Sequence, residues 1–121
     1  MAGEYTLARE AMTAFVASGQ KQGMLREMAH GAIVATIAQL ICSGVAERHP
    51  RLKFVCCEFE TGWLAHVLQR LDHATYRARQ EASPDLTMPP SAYFRRQFYA
   101  TFEDDQLGVM TRHAIGVDNL M

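Results

Sequence analysis

The sequence is that of a small, nearly neutral protein. Its 121 residues fit one domain, 49% of them are hydrophobic, and 12 basic against 13 acidic residues leave a net charge of -1. It has no basic stripe interleaved with aromatic residues, which argues against a nucleic-acid partner. The longest apolar stretch, Ala32–Cys42, is too short to span a bilayer, and the first ten residues do not resemble a signal peptide. We therefore expect a cytoplasmic globular protein with no membrane partner.

The first half of the chain combines helical patterns with one short apolar run. Apolar residues at helical spacing predict three helices, over Tyr5–Ala17, Met24–Cys42 and Gly62–Gln80. The second of these helices either ends at Ser43–Gly44 or continues to Glu47. The run Leu52–Cys57 is short and mostly apolar, which is typical of a parallel strand covered on both faces.

The second half repeats this alternation. A proline-rich stretch, EASPDLTMPPS, predicts a loop, after which Ser91 is expected to cap a short helix through Tyr93–Arg96. The acids Glu103–Asp105 are expected in the first turn of another helix, which runs to about His113 and ends at Gly116. Two further strands are predicted, one over Gln97–Phe102 and one beginning in Val117–Met121.

Strands that are separated by helices imply right-handed crossovers and a parallel sheet, so the predicted fold class is α/β. Three strands, the last one only begun, make a poor parallel sheet by themselves, because such a sheet needs both faces covered and its edges protected. We therefore expect a few helix–strand units of a larger parallel-sheet enzyme, inactive on their own.

Four stretches of the sequence carry a resemblance to a known family. They are Ser43–Val55, Cys57–Asp72, Pro89–Asp105 and Ile115–Met121. In order and spacing they closely resemble the carboxy-terminal half of the amidohydrolase-related family (amidohydrolase 2 type) of metal-dependent TIM-barrel enzymes. Within it, the proteins similar to aminocarboxymuconate-semialdehyde decarboxylase are the nearest look-alikes. Each stretch alone is weak evidence for this family, but four stretches in the same order over about Ala32–Met121 make the resemblance specific.

The resemblance implies that residues 1–121 are a fragment of a single (β/α)8 barrel domain, with about strands six to eight, their helices and the preceding helices. The family hydrolyses or decarboxylates small carboxylate, amide or lactone substrates with a divalent metal, usually zinc. Its ligands are a His-x-His pair on the first strand, a His on a middle strand and an Asp on the last. All of these would fall outside this chain, so we expect it to bind no metal itself and the full-length parent to bind one.

One catalytic candidate remains, Glu58, directly after the first predicted strand. Many family members carry there a His that transfers protons or holds the metal-bound water, and related sequences with Glu also exist. Active-site groups lie at the carboxyl ends of barrel strands, and a desolvated Glu can act as a general base. The alternative is a solvated or salt-bridged surface Glu.

The histidines and cysteines favour structural roles. His66 and His73 are two helical turns apart, about 10 Å, which is too far to share one ion, so we expect surface histidines. The same structural interpretation applies to His30, His49 and His113. Cys42, Cys56 and Cys57 are expected to be buried free thiols, since neighbouring strand residues point to opposite faces and suit neither a disulfide nor a zinc site.

Three other features leave alternatives open. The acids Glu103–Asp105 could touch substrate at the rim of a barrel, or simply complement a helix N-terminus. Trp63 could pack its helix against the sheet or line a pocket. The pair Arg95–Arg96 could bind a substrate carboxylate or a partner chain, although solvent-facing charge is the common outcome on a short helix.

Two other functions remain open at this point. The chain could be a non-catalytic interaction or scaffold module, whose exposed strand edges and apolar faces would favour self-association. It could also be a complete small enzyme that uses Glu58 with the acidic cluster Glu103–Asp105.

Overall fold

The computed structural model describes residues 22–78 and 86–121, with side chains described over 31–76 and 86–121. The chain forms two units, Met1–Ala32 and Ile33–Met121. Within the first unit only the beginning of one helix is described, and the helix predicted over Tyr5–Ala17 lies outside the described residues. The sheet and the hydrophobic core belong to the second unit.

Helices and strands alternate as the sequence predicts, with short strands. The helices are α1 Gln22–Cys42, α2 Val45–Arg48, α3 Leu64–Ala78, α4 Pro90–Gln97 and α5 Gln106–Ile115, followed by a 3-10 helix over Val117–Asn119. The strands are β1 Phe54–Cys56 and β2 Phe98–Ala100, each shorter than its predicted run. In the part of the chain that the structure describes, no helix is both long and apolar enough to cross a membrane.

The two strands are parallel neighbours, which confirms the predicted α/β class with a parallel sheet. Phe54 pairs with Phe98 and Cys56 with Ala100 in the register. The predicted third strand is reduced to one parallel bridge, between Ala100 and Leu120. Its first residues form the 3-10 turn instead, because the Leu120 N–H bonds back to the Val117 carbonyl at 3.4 Å.

The two faces of the sheet differ in burial. Cys56, Phe98 and Ala100 point to one face and are 6%, 2% and 0% exposed. Val55 and its register partner Tyr99 point to the other face, where Val55 is 52% exposed and Tyr99 is half-buried. The expectation of a strand covered on both faces is therefore wrong within the described residues, since helices pack against one face only.

The core is built around stacked aromatic rings. Phe98 lies between Phe54 and Phe94, with ring centroids 4.6 and 5.5 Å away. Burying one such side chain contributes roughly 1.5 to 3 kcal/mol. Fully buried side chains from the surrounding helices close this cluster: Ile41, Leu64, Leu68, Tyr93 and Ile115.

Helix α1 ends where the first of the two predicted alternatives placed it. Gly44 adopts the left-handed conformation, with φ 78, and its N–H bonds to the Ile41 carbonyl at 3.0 Å. A residue without a side chain adopts this conformation at no steric cost, so a helix commonly ends there. The chain then starts α2 as a separate short helix at Val45.

Two predicted helix starts need correction. Ser91 is not the cap of α4, because Pro89 occupies that position and Pro90 begins the helix. Proline suits a first helical position, where its missing N–H costs nothing. The Ser91 N–H instead donates to Asp72 Oδ1 on α3 at 2.8 Å. Similarly, the acids before α5 are not in its first turn, since Asp105 is its N-cap.

At the amino end of the strands, side chains from the end of α4 satisfy backbone carbonyls. Gln97 is fully buried, and its Nε2 donates to the carbonyls of His49 and Leu52 at 2.9 and 3.2 Å. The Arg96 guanidinium donates to Gln97 Oε1 at 2.6 Å and to the Ala46 carbonyl at 2.8 Å. These bonds tie the chain before β1 to the chain before β2.

A buried asparagine completes this end. Asn119 is 5% exposed, and its Nδ2 donates to the carbonyls of Phe98 at 2.7 Å and Arg95 at 3.0 Å. A third carbonyl, that of Phe94, lies at 3.5 Å. Asn119 therefore supplies hydrogen-bond donors to carbonyls at the junction of α4 and β2. These bonds hold the chain next to β2 directly before Leu120 forms its bridge.

Candidate functional site

Because the strands are parallel, the segments that follow them meet at the same edge of the sheet. We call these segments the first loop, Cys57–Trp63, and the second loop, Thr101–Asp105. The Thr101 N–H donates to the Cys56 carbonyl at 2.9 Å, which continues the strand pairing to the beginning of both loops. This edge is where a parallel α/β sheet carries its active-site groups.

Glu58 lies at this edge, directly after β1, as its position in the sequence indicates. Its side chain is exposed, and its N–H donates to Thr101 Oγ1 at 3.0 Å. Its backbone has φ 65, a left-handed conformation that costs an ordinary residue roughly 1 to 2 kcal/mol. Glu60 has φ 52, and its Oε2 accepts a hydrogen bond from the Glu103 N–H at 3.2 Å.

Asp105 connects the two loops. Its Oδ2 accepts from the Thr61 N–H at 2.5 Å, the Thr61 hydroxyl at 3.0 Å and the Gly62 N–H at 2.6 Å. Its Oδ1 caps α5 by accepting from the Gly108 N–H at 2.8 Å. One carboxylate thus receives four hydrogen bonds from two segments of the chain.

These bonds shift the acidity of Asp105. Burial raises the pKa of this carboxyl group, but the hydrogen bonds from Gly108, Thr61 and Gly62 together outweigh burial and leave the pKa below its ordinary value. Asp105 therefore stays ionised at neutral pH, as an acceptor for four donors requires.

The close approach of the two segments requires glycine at position 108. A Cβ built on Gly108 would overlap Thr61 Oγ1 and would lie 2.5 Å from Asp105 Oδ2. At Gly62 a Cβ would lie 3.0 Å from Asp105 Oδ1, which is tight but less severe.

Trp63 closes the first loop and packs against the hydrophobic core. Its Nε1 donates to the carbonyls of Phe59 at 2.7 Å and Glu60 at 3.1 Å. The indole therefore shapes the backbone between Glu58 and α3, in addition to packing this helix against the core.

The structure places most of the histidines at the surface. His66 and His73 are exposed on α3, and His49 and His113 are exposed elsewhere, as expected, while the side chain of His30 lies outside the described residues. Among the residues described, no group of three or more His, Cys, Asp and Glu side chains could hold a metal ion.

The expectation of three buried thiols is correct only in part. Cys56 is buried and Cys42 is half-buried, but Cys57 is exposed. Successive strand residues point to opposite faces, and only the face of Cys56 is covered. Burial, followed by the neighbouring Cys57, raises the pKa of Cys56 to about 11.

The Arg95–Arg96 pair lies at the amino end of β2, away from the two loops. Arg95 is exposed and donates to the Ala114 carbonyl at 2.8 Å. Arg96 is only 34% exposed, with its guanidinium 5.0 Å from the Tyr93 ring centroid. The prediction of a solvent-facing charge is therefore wrong for Arg96. Its guanidinium N–H groups donate instead to the Ala46 carbonyl and to Gln97 Oε1.

The sequence did not single out Thr61, whose hydroxyl bonds to Asp105, or Thr101, whose hydroxyl accepts from the Glu58 N–H. Both bonds join the first loop to the second. Nothing in a lone threonine after a strand distinguishes these roles. Asp105 carried a stronger signal, since an Asp directly before an amphipathic helix is a favoured N-cap. Its bonds to Thr61 and Gly62 depend on the strand register and could not be predicted.

The geometry can now be compared with known proteins. No protein-family model matches the sequence, and no curated protein gives a significant match. Among solved structures, an amidohydrolase from Mycobacterium avium subsp. paratuberculosis K-10 superposes with a TM-score of 0.67 and 27% identity over 90% of this chain. The resemblance to the amidohydrolase-related family is confirmed.

A second relative acts as a decarboxylase. The 5-carboxyvanillate decarboxylase from Sphingomonas paucimobilis matches 69% of this chain with 31% identity and a TM-score of 0.58. The chain spans 28% of the first relative and 26% of the second. This chain therefore aligns with just over a quarter of each of these two relatives.

Proposed function

We propose that this chain is the carboxy-terminal part of a (β/α)8 barrel, with about strands six to eight, in a cytoplasmic metal-dependent enzyme of the amidohydrolase-related family. The complete enzyme would hydrolyse or decarboxylate a small carboxylate, amide or lactone. The observation that carries this proposal is the pair of interlocked loops at the carboxyl end of the parallel strands, with Glu58 exposed at that edge, in a chain similar to two enzymes of this family.

The uncovered face of the sheet supports an incomplete barrel. Val55 is half-exposed on this face, whereas the opposite face is closed by helices. In a barrel, side chains of one strand face pack in the interior against those of the other strands. We propose that strands from outside this chain cover Val55 and Tyr99 in the same way.

The described residues do not fit a complete metal site. A catalytic zinc site needs three protein ligands and an open position, and no such cluster lies within the described ranges. The metal that we propose for the complete enzyme would therefore take at least part of its ligands from outside these ranges. This chain alone is proposed to be inactive.

Glu58 is the group of this chain that we propose to act in the complete site. Its carboxylate is exposed at the edge where the substrate of a barrel enzyme binds, and no core contact occupies it. Closure of a barrel around the edge would desolvate this carboxylate, and a desolvated carboxylate can accept a proton from water or substrate.

Metal analysis combined with activity assays tests the proposal. The purified chain and a version extended by the coding sequence on both sides are assayed for zinc content and for turnover of 5-carboxyvanillate, simple amides and lactones. We expect metal and turnover only in the extended protein. Stoichiometric metal with turnover in this chain alone would show a complete small enzyme, and an extended protein without metal or turnover would contradict the proposal.

A second candidate function is a non-catalytic module that self-associates. The exposed apolar residues favour it, because Leu52, Val55 and Met121 are 49%, 52% and 55% exposed. Size-exclusion chromatography with light scattering over a hundredfold concentration range separates the two. A monomer at all concentrations would contradict self-association, and a stable dimer without any enzymatic extension would favour it.

A further inference from the structure

We propose that Asp105 is a positioning residue, whose carboxylate fastens the first loop to the start of α5 and thereby holds Glu58 in its left-handed conformation at the edge of the sheet. The inference rests on the proposed role of Glu58 in an active site. Its test, however, measures only whether Asp105 controls the geometry of Glu58.

The first argument is the number of bonds that Asp105 accepts. A helix cap needs one bond to a free N–H in the first turn, which Gly108 supplies. The other oxygen receives three bonds, all from Thr61 and Gly62, which belong to the first loop. Capping of α5 therefore accounts for the bond to Oδ1, and the three bonds to Oδ2 connect Asp105 to the first loop.

The second argument is the short distance along the chain between this connection and Glu58. Only Phe59 and Glu60 separate Glu58 from Thr61. The segment is held at one end by the bond from the Glu58 N–H to Thr101 Oγ1 and at the other by Asp105. Two fixed ends leave four residues with little conformational freedom.

The third argument is the backbone strain between these two ends. Glu58 and Glu60 both have positive φ, 65 and 52, although neither is glycine. Such conformations persist when the surrounding structure imposes them. The Trp63 indole also holds the Phe59 and Glu60 carbonyls. Release of the end held by Asp105 would remove one of the constraints that impose the positive φ values and would move the Glu58 side chain.

Hydrogen exchange of single amides, followed by NMR on the full chain, tests the proposal. In Asp105→Asn an NH2 group replaces one of the two accepting oxygens, so the side chain keeps its size but can no longer accept the bonds from the first loop and the bond from the Gly108 N–H together. The matched control is Asp104→Asn, which removes the same charge from the exposed neighbouring residue. The amide of Phe98, a residue 2% exposed in the core at the amino end of β2, bonds to the Phe94 carbonyl and serves as the reference away from the loops.

We expect Asp105→Asn to raise the exchange rates of the Thr61, Gly62 and Glu58 amides at least tenfold relative to that of Phe98. The three-bond HN–Hα coupling and the Cα shift of Glu58 should also move away from left-handed values. Asp104→Asn should change none of these. An equal rise at all amides, or an unchanged Glu58 beside altered Thr61 and Gly62, would overturn the positioning role.

A milder variant keeps the test decisive if Asp105→Asn does not fold. Thr61→Val removes only the hydroxyl bond to Asp105 and keeps the shape of a fully buried side chain. It should produce the same pattern at Glu58 with a smaller amplitude, and an unchanged Glu58 would again overturn the inference. A failure here leaves the proposed enzyme function standing, because that function is tested separately by metal content and turnover.

Discussion

The two ends of the strand pair are held together by opposite kinds of polar groups. At the amino end Arg96, Gln97 and Asn119 donate hydrogen bonds to backbone carbonyls. At the carboxyl end Asp105 accepts bonds from backbone N–H groups. The difference follows from the topology, since helices end with free carbonyls at one edge of a parallel sheet and begin with free N–H groups at the other.

The two ends also differ in what they leave exposed. The donors of the amino end are committed to carbonyls, with Gln97 and Asn119 buried. The carboxyl end keeps Glu58 and Cys57 exposed above the same strands. From this comparison we expect the polar groups of the amino end to contribute more to stability, while the carboxyl end combines the structural carboxylate of Asp105 with the exposed side chains of Cys57 and Glu58.

Loss of Arg96 should have the largest effect on stability. Arg96→Ala leaves Gln97 Oε1 and the Ala46 carbonyl without their donor and removes the cation from the Tyr93 ring, so we expect a loss of about 3 kcal/mol. Urea denaturation measures it. The control Arg51→Ala, at an exposed arginine, should stay within about 0.5 kcal/mol. Similar losses in both variants would contradict a special role of the amino end.

Removal of Asn119 should cost somewhat less. Asn119→Ala leaves the buried carbonyls of Phe98 and Arg95 without their side-chain donor, and we expect a loss of about 2 kcal/mol in the free energy of unfolding. Denaturation by urea again gives the value, with the exposed neighbour Asp118→Ala as the control. An Asn119→Ala protein as stable as the control would show that water replaces these bonds.

The contribution of Asp105 should depend on pH. Its folded-state pKa is lowered, so its stabilisation is complete above the ordinary value of 3.8 and is lost as the pH falls through the folded-state value. We expect wild type to exceed Asp105→Asn by about 1.5 kcal/mol at pH 7, because the variant weakens the hydrogen bonds that join the first loop and α5 to a charged carboxylate, and to lose this advantage below about pH 3.8.

Urea denaturation of both proteins from pH 7 to pH 2.5 measures this difference. Glu47 also has a lowered pKa, chiefly through a hydrogen bond from Tyr93, but it is present in both proteins and cancels. A difference that stays constant down to pH 2.5 would contradict an ionised Asp105 as the connecting group.

Thiol labelling should distinguish the two sheet faces without affecting stability. Cys57 is exposed, whereas Cys56 is buried with its pKa raised to about 11 by burial and then by Cys57. At pH 8 we expect iodoacetamide to modify Cys57 at least about tenfold faster than Cys56. Peptide mass spectrometry after short labelling times gives both rates. Equal rates would mean that both faces of β1 are open to solvent.

The alternation of elements was predictable, because a continuous apolar run beside amphipathic helices indicates a parallel strand. The ends of the strands were not predictable. Leu52 and Gln97 are both compatible with a strand, but the Leu52 carbonyl accepts a bond from the Gln97 side chain, and Gln97 is the last residue of α4. The segment Val117–Met121 reads as a strand, yet the bonds of Asn119 require a turn before the single bridge at Leu120.

The candidate site was predictable at one residue. The place of Glu58 after a strand indicates the carboxyl edge, but its bond partner Thr101 lies forty-three residues away in the sequence. The connection from Thr61 to Asp105 spans a similar separation and depends on the register of β1 against β2. Such pairings need the three-dimensional arrangement, because no local pattern encodes them.

The turnover number of the Glu58→Gln variant, in the extended and metal-loaded protein, tests the central claim most directly. Glutamine keeps the size of the side chain but cannot accept and release a proton, so we expect kcat to fall about 100-fold or more while the melting temperature stays unchanged. Asp118→Asn, a change at an exposed carboxylate on the 3-10 helix, should leave kcat unaltered. An unchanged kcat in Glu58→Gln would contradict the placement of Glu58 in the active site.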